Sequence, residues 1–288
     1  MSPPPGLILL VLPILSVLAG CTSPLGPKGV SPLRPAQMSL DSVALEIVSV
    51  RIPPGDGELG SRVWDEVDEQ VLPPELRQRL AKSGFRAGLI GGQVPAVLAK
   101  LLELSDRPAA AGEPVQVAAA DVQPVPRLAH RHLQTRAGQR NEIIASGIHE
   151  RLPVLLCESG ELRGQTYEQA QGILALVADP QPGGQVRLEL TPELHHGQSR
   201  QQWVGNQAAW RLEAGRPKRV FDDLRVSALL SPGWMLLVGA RSDSAGSLGH
   251  SFFLEGTDRD AHPEQKLILV RLCQTQHDDV VVGGGPGR

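Results

Sequence analysis

Residues 186–194 read VRLELTPEL, and this stretch decides the fold class of the chain. Apolar and polar side chains alternate along it, and a period of two is typical of a strand with one buried face. Residues 224–230 repeat the alternation. The two segments predict an antiparallel β-rich domain, to which we assign residues 141–276. The apolar positions are Val186, Leu188, Leu190 and Leu194 in the first segment, and Leu224, Val226, Ala228 and Leu230 in the second.

A turn signal follows the second segment. Ser231-Pro232-Gly233 places proline and glycine where a type II turn requires them, so residues 224–230 and 234–238 are predicted to form a hairpin. Residues 252–255 and 266–273 are predicted to be two further strands. The last residues, 277–288, are predicted to be a disordered tail.

The segment before this domain, residues 41–105, is predicted to form a small α/β unit. Residues 43–50 are apolar on both faces of a strand, and 85–90 are predicted to be a second strand. Residues 106–140 contain four prolines and are predicted to be a linker or an irregular crossing strand. The fold class predicted for the whole chain is therefore α+β. The predicted helices cover residues 61–71, 73–84 and 94–104.

Charge and cysteine content limit the classes of function that are compatible with the chain. Lys and Arg number 28 against 31 Asp and Glu, without a run of like charges, so nucleic acid is a poor candidate partner. After Cys21 only Cys157 and Cys273 remain, and both lie in apolar segments. A disulfide between them and two buried reduced cysteines on neighbouring strands are both compatible with the sequence.

Several clusters have the residue types of a metal site but favour ordinary surface structure. His195-His196 follows a strand end without further ligand motifs, which favours a solvated turn. His130 and His132 share a strand face, but the arginines beside them disfavour a cation. Four carboxylates between residues 65 and 69 are typical of a charged outer helix face. We therefore predict no metal and no cofactor.

The candidates for other chemistry are similarly weak. Ser247 lies in Ala-Gly-Ser-Leu-Gly, which resembles a hydrolase nucleophile elbow, but residues 251–253 favour a strand where that elbow needs a helix. Residues 88–92 read GLIGG and fit no phosphate-binding pattern. Trp203, Trp210 and Trp234 are more typical of sheet packing than of a binding platform. The chain is predicted not to be an enzyme, with a serine hydrolase as the least favoured alternative.

The amino-terminal sequence contains an export signal. Residues 6–19 are apolar, and Leu18-Ala19-Gly20-Cys21 follows as a small-residue cleavage site before a cysteine. Fourteen residues span about 21 Å as a helix, against a hydrocarbon core of about 30 Å, so an uncleaved spanning helix is disfavoured. The stretch resembles the lipobox of bacterial lipoproteins, and an ordinary secretory signal peptide is the alternative. The resemblance implies a signal peptide over 1–20 and lipidation of Cys21 with diacylglycerol and a fatty acyl chain such as palmitate.

The same resemblance implies a location in the cell envelope. Thr22 stands where an aspartate would retain such a lipoprotein at the inner membrane, so delivery to the outer membrane with the body in the periplasm is expected. Residues 21–40 are rich in proline and are predicted to be an extended tether between the anchor and the folded body. The partners expected are the membrane, through the acyl chains on Cys21, and other envelope proteins.

A second resemblance concerns residues 166–276. The alternating strand at 186–194, the glycine-containing hairpin that ends in Leu236-Leu237-Val238-Gly239, and the apolar strand at 267–272 are similar to the β-domain of secretins. The resemblance implies a shared β topology and an export system as a partner. Our leading expectation is a non-enzymatic envelope lipoprotein with a structural or protein-binding role, and the alternative is a secretin-like ring component or accessory.

Overall fold

The structure, a computed structural model, consists mainly of antiparallel β-sheet with a few short helices. The signal peptide, Cys21, the tether and the predicted tail lie outside the described residues. Among the described residues, no helix is long and apolar enough to cross a membrane. The described residues are 41–52, 57–106, 128–158, 161–206, 209–255 and 264–276.

The strands are numbered in chain order. They are β1 Ser42–Ile52, β2 Phe85–Ile90, β3 Leu128–Arg136, β4 Asn141–Glu158, β5 Glu161–Gln181, β6 Gln185–His195, β7 Arg200–Asn206, β8 Ala209–Gly215, β9 Lys218–Val220, β10 Val226–Leu230, β11 Met235–Ala240, β12 Leu254–Glu255 and β13 Glu264–Gln276. The helices are α1 Gly57–Asp65, α2 Pro74–Lys82, α3 Ala96–Asp106 and α4 Leu248–Phe253, with 3₁₀ turns at Glu69–Val71 and Asp222–Leu224.

Two larger sheets pack face to face. The first sheet has the strand order β2-β11-β13-β1-β3, with β12 added to β13, and the second has the order β10-β6-β5-β4, with β9 added to β6. Strands β7 and β8 form a separate two-stranded hairpin. All pairings among these strands are antiparallel, which confirms the predicted α+β class at the level of a mostly antiparallel β protein.

The central strands of the first sheet are buried on both faces, whereas most of the edge strand β3 is exposed. In β1, Val43, Leu45 and Ile47 join the core between the two sheets, whereas Val48 and Val50 join a second core on the opposite face. That second core also contains apolar residues of α1 and α3, so the helices cover the side of the sheet away from its partner. The apolar pattern that predicted a strand buried on both faces is thus confirmed.

The second sheet buries one face against the first. Val186, Leu188, Leu190 and Leu194 of β6 are all in the core between the sheets, as their alternation predicts. The opposite face of this sheet is called the outer face here, because it points away from the first sheet. One exposed face is usual for an antiparallel sheet in a two-layer packing, and this outer face is partly exposed, although Ile173, Thr191 and Glu193 on it are buried.

The separate α/β unit predicted at 41–105 is not confirmed. Strand β1 pairs with the carboxyl-terminal β13 and with β3, and β2 pairs with β11. Residues 128–136, within the predicted linker, form a full strand paired to β1. Strands from both ends of the chain therefore complete one sheet, which local sequence patterns do not reveal.

The structure confirms the turn predicted around Gly233 but not the hairpin. Gly233 has a φ of +86°, and the amide of Trp234 donates to the carbonyl of Ser231 at 2.9 Å, so the turn is present. The strands that it joins belong to different sheets, however, because β10 pairs with β6 and β11 pairs with β13 and β2. The turn carries the chain from one layer to the other, and the predicted pairing is wrong.

The strand predicted at 252–255 is also wrong in its first half. Phe252 and Phe253 end the helix α4, and only Leu254 and Glu255 are extended. Both phenylalanines are fully buried and meet the ring of Phe85 edge to face, at centroid distances of 5.4 and 6.0 Å. A buried apolar run of this length is compatible with either structure, and packing decides it.

The three predicted helices are present but shifted in place, and α4 was not predicted. Helix α2 begins at Pro74 and is closed by Gly84 with a φ of +80°, as expected, and α3 is shifted by two residues. Helix α1 ends at Asp65, earlier than the predicted 71, and a separate 3₁₀ turn follows. Asp68 caps that turn, because its carboxylate accepts from the amide of Gln70 at 2.8 Å.

Candidate functional site on the outer face of the second sheet

Two rows of paired residues cross the outer face of the second sheet. The first row runs from Ile144 on β4 through Ile173 and Glu193 to Val220 on β9. The second row contains Ile148, Gln171, His195 and Lys218 in the same order of strands. Directly paired residues of antiparallel strands point to the same face, so each row forms a line of neighbouring side chains.

A bulge in β4 brings the two isoleucines together. Ile144 pairs with Ile173 and Ile148 pairs with Gln171, so four steps along β4 match two steps along β5. Lys266, which is 8% exposed, reaches from the first sheet and donates from Nζ to the carbonyl of Ala145 at 2.8 Å. The amide of Gly172 donates to Oγ of Ser146 at 2.8 Å. These bonds satisfy backbone groups that the bulge removes from the ladder.

Three apolar side chains of these rows are exposed. Ile144 and Ile148 are each 58% exposed and Val220 is 39% exposed. We call these three residues the outer patch. Single exposed apolar residues are ordinary, but two neighbours on one face, such as Ile144 and Ile148, are typical of a contact surface. Val220 lies at the other end of the first row, three strands from Ile144.

A buried carboxylate lies between the residues of the outer patch. Glu193 is 3% exposed, and its Oε2 lies 2.6 Å from Nη2 of Arg140, 3.0 Å from Nε2 of His195 and 3.3 Å from Nζ of Lys218. Arg140 also contacts Glu142 at 2.6 Å. We call these five residues the Glu193 network.

The network keeps Glu193 ionised. Burial alone would raise the pKa of this carboxyl, but the hydrogen bond with His195 and the charges of Arg140 and Lys218 outweigh it and lower the pKa below its ordinary value. The pKa of Arg140 is raised, because its two carboxylate partners outweigh its partial burial. A buried charge is tolerated only with such partners, so the network fixes the strand β6 relative to the corner at Arg140.

A metal ion does not fit this cluster. Oxygen and nitrogen atoms of Glu142, Glu193 and His195 lie within 4.8 Å of one another, which satisfies the spacing of a ligand set. However, the guanidinium of Arg140 already lies 2.6 Å from both carboxylates, and a second cation would have to displace it. The solvated turn predicted at His195-His196 is wrong for His195, which is the last residue of β6 and has a side chain that is 15% exposed and hydrogen-bonded to Glu193.

The free edge of β4 is protected along much of its length. Side chains donate hydrogen bonds to two of its backbone carbonyl groups. Nη1 of Arg131 donates to the carbonyl of Glu142 at 3.1 Å, and Nζ of Lys266 donates to the carbonyl of Ala145. Further along, the amide of Leu155 donates to the carbonyl of Gly246 at 2.9 Å. Bulges and occupied backbone groups are the usual protection against edge pairing. A partner would therefore meet the side chains of the outer face more readily than the edge.

Ser247 is followed by a helix, contrary to the sequence prediction. It is the N-cap of α4, and its Oγ accepts from the amide of His250 at 3.2 Å. The residue is 8% exposed, and a Cβ on Gly84 would come within 1.9 Å of Oγ. The hydroxyl is thus pressed against the turn between α2 and β2.

The two cysteines are free thiols in different sheets. Cys157 lies on β4 and is half-buried, and Cys273 lies on β13 and is exposed. The expectation of two buried cysteines on neighbouring strands is therefore wrong, and the disulfide is not formed in the structure. Partial burial and the charge of Glu46 raise the pKa of the Cys273 thiol.

The remaining sequence candidates have structural partners. His130 contacts Glu46 at 3.2 Å on the first sheet, and Glu69 accepts from Arg86 at 2.7 Å. In the GLIGG segment, Gly88 lies within β2, and a Cβ there would meet the carbonyl of Asp68 at 2.7 Å. His132 and the carboxylates Asp65, Glu66 and Asp68 are exposed.

Of the three tryptophans in the β-rich domain, the structure describes the side chain of Trp234 alone. Trp203 and Trp210 have backbones in β7 and β8, but their side chains lie outside the described part of the structure. Trp234, at the turn between β10 and β11, is 39% exposed. No family model, curated protein or solved structure matches this chain.

Proposed function

We propose that this chain is a lipid-anchored cell-envelope protein that binds another envelope protein through its outer patch. Cys21 holds the acyl chains, and the proline-rich residues 21–40 separate the anchor from the folded body. The observation that carries the binding role is the pair of exposed isoleucines, Ile144 and Ile148, placed in adjacent rows by the bulge in β4.

The chemistry of the surface supports a protein as the occupant. The outer patch is apolar, and the charges of the Glu193 network beside it are formally balanced, with Arg140 and Lys218 opposite Glu142 and Glu193. Exposed apolar side chains beside polar groups that already have partners are typical of a protein–protein interface. The proposed partner is thus a folded protein with a complementary apolar surface, located in the periplasm or at the outer membrane.

The alternative is a component or accessory of a secretin-like ring, which the resemblance of residues 166–276 supports. The two proposals predict different particles. Electron microscopy of the detergent-extracted protein would show closed rings if the chain itself builds a ring. A monodisperse monomer would favour the binding role instead.

Site-specific photo-crosslinking in intact cells tests the binding role. A photoreactive amino acid at position 148 is expected to give one discrete adduct, and the additional substitution Ile144→Asp is expected to remove it. The matched control carries the photoreactive residue at Glu75, which is exposed on α2. Adducts that are equally strong from position 75, or that persist with Ile144→Asp, would contradict the proposal.

A further inference from the structure

The hairpin of β4 and β5 extends past the pairing of β5 with β6. Strand β4 pairs with β5 as far as Glu161, whereas β6 pairs with β5 only from Gln171 onward. On the side of β6, the amide of Gly197 also donates to the carbonyl of Glu168 at 2.7 Å. Among the described residues, no strand pairs with this side of β5 before Gln171. We call this side of residues 161–166 the tip edge.

The tip edge presents backbone hydrogen-bonding groups. The carbonyl of Glu168 points away from β4, because it accepts from the amide of Gly197 on the other side. The backbone groups of successive strand residues point to alternate sides, and the pairing of β4 with β5 is regular from Glu168 back to Glu161. The amide and carbonyl groups of Leu162 and Gly164 therefore point away from β4 as well. Such an edge is a template for a further strand.

Exposed leucines lie on one face of the hairpin beside the tip edge. Leu162 pairs with Cys157 and Gly164 pairs with Leu155, so these four residues share a face. Leu162 is 69% exposed and Leu155 is 47% exposed. A Cβ on Gly164 would lie 3.9 Å from Cδ2 of Leu155, which places that leucine over the edge strand. A strand added to the tip edge would therefore bury apolar surface as well as pair with the backbone.

The charges of the tip edge are complementary to those of a second copy. Glu161 and Arg163 flank Leu162, and both side chains are exposed, with Oε2 of Glu161 3.2 Å from Nη2 of Arg163. Antiparallel pairing of two such strands about a two-fold axis at Leu162 places Glu161 of each copy opposite Arg163 of the other. Pairing centred on Arg163 would place two arginines opposite each other. Opposite charges stabilise a cross-strand pair and like charges destabilise it, so the register at Leu162 is favoured.

We propose that the tip edge joins two copies of this chain, with their β5 strands antiparallel and Leu162 of both copies at the two-fold axis. The two Leu162 residues form a hydrogen-bonded pair, because their backbone groups point to the free side. Leu155 and Leu162 of both copies then lie on one face of a continuous sheet. A two-fold contact uses the same surface of each copy, so it closes as a dimer and does not extend into a ring. The dimer goes beyond the proposed binding role and does not depend on it.

Disulfide trapping in the purified full-length protein tests this register. In a background of Cys157→Ala and Cys273→Ala, Leu162→Cys is expected to give a disulfide-linked dimer on mild oxidation. Hydrogen-bonded partners have Cα atoms about 5.5 Å apart, within the range of a disulfide. Cys157 is removed because it pairs directly with position 162. A protein concentration of about 0.1 mM populates the weak dimer that a short interface implies.

Thr166→Cys in the same background is the matched control. Thr166 is exposed on the same strand, but in the proposed register its two copies lie about 27 Å apart along the strands, too far for a disulfide. The background chain without an added cysteine gives the baseline. A dimer yield from Leu162→Cys at that baseline, or equal yields from both positions, would overturn the proposal. Trapping in cells that gives an adduct with a different protein in place of the dimer would overturn it as well.

Exchanging the two charges is an independent test. Arg163→Glu places like charges opposite each other, and we expect the dimer to weaken about tenfold in sedimentation equilibrium. The additional substitution Glu161→Arg restores opposite charges across the axis and should restore the affinity. Both side chains are exposed, so neither substitution disturbs the core. A wild-type protein that stays monomeric at about 0.1 mM, or a weakening that Glu161→Arg does not reverse, would contradict the proposal.

Discussion

The carboxylate of Glu193 lies 2.6 Å from the guanidinium of Arg140, although the two residues are 53 positions apart in the sequence. Arg140 stands at the corner where the chain leaves the first sheet and enters β4 of the second. Glu193 lies near the end of β6, with its side chain almost fully buried. The ion pair therefore fixes the position of two strands whose pairing with β5 forms the outer face.

Glu193→Gln should destabilise the protein in a pH-dependent way. The substitution leaves Arg140 and Lys218 facing a neutral amide. Because both cations remain partly solvated, we expect a cost of about 1–3 kcal/mol at pH 7. The folded-state pKa of Glu193 is lowered, so its contribution is present above the ordinary glutamate pKa and is lost as the pH falls through the folded-state value.

Urea unfolding of both proteins from pH 7 to pH 3 measures this effect. The difference in the free energy of unfolding between wild type and Glu193→Gln should shrink below about pH 4. A difference that stays constant over that range would show that the charge of Glu193 is not responsible. Glu75→Gln, on the exposed side of α2, is the control and should change little.

Lys266→Met should destabilise the bulge in β4. The ammonium group donates to the carbonyls of Ile144 and Ala145, and methionine fills similar space without a donor. We expect a loss of about 2 kcal/mol, because buried carbonyls are left without that partner. Thermal unfolding would show this as a decrease of about 2–4 °C per kcal/mol.

The Lys266→Met variant also tests whether Lys266 holds the bulge that positions Ile144 and Ile148 of the outer patch. If Lys266→Met loosens the bulge, amide hydrogen exchange should accelerate at residues 144–148 more than in β6. Uniform acceleration over the second sheet would instead indicate a general loss of stability.

Gly249→Ala should be strongly destabilising. A Cβ at this position in α4 would lie 2.2 Å from the carbonyl oxygen of Gly84, which belongs to the backbone and cannot rotate away. We expect about 3 kcal/mol or more, since overpacking against backbone requires a shift of the helix. Gly147→Ala is the matched control, because a Cβ there meets nothing within 4 Å. Equal melting temperatures of the two variants would contradict the close contact of α4 with the α2–β2 turn.

The cysteines give a chemical test of the fold. In the Cys21→Ala variant, denatured without reductant, we expect two titratable thiols, because Cys157 and Cys273 are free and lie in different sheets. In the native protein, Cys273 should be alkylated slowly at neutral pH, since burial and Glu46 raise its pKa. Glu46→Gln should accelerate the reaction. Recovery of no thiols would mean that a disulfide joins the two strands.

The sequence predicts the elements with a regular pattern and misses those that depend on distant partners. Strand β6 is recognisable from its alternation, and β1 from apolar residues on both faces. Strands β4 and β5 lack an uninterrupted pattern, since β4 contains the bulge after Ile144 and Gln169 of β5 has a φ of +50°. A bulge shifts the period of two, so alternation fails where the site is built.

The candidate site was missed for the same reason, because it depends on residues that are distant in the sequence. Glu193 stands at a polar position of an alternating strand, and its sequence context predicts an exposed carboxylate. Its burial as a charged group depends on Arg140, from the connection between β3 and β4, and on Lys218, from β9. A signal was present in the two adjacent isoleucines at 143 and 144, since one of them must face away from the core of a strand. Only the pairing of β4 with β5 shows which one does.

Metabolic labelling with an alkynyl fatty acid tests the central claim, that the chain is a lipid-anchored envelope protein, most directly. The wild-type protein should incorporate the label and fractionate with membranes. Cys21→Ala should lose both properties, while Cys273→Ala, which removes an exposed cysteine of the folded body, should retain them. Labelling that persists in Cys21→Ala, or wild-type protein that remains unlabelled, would contradict the account.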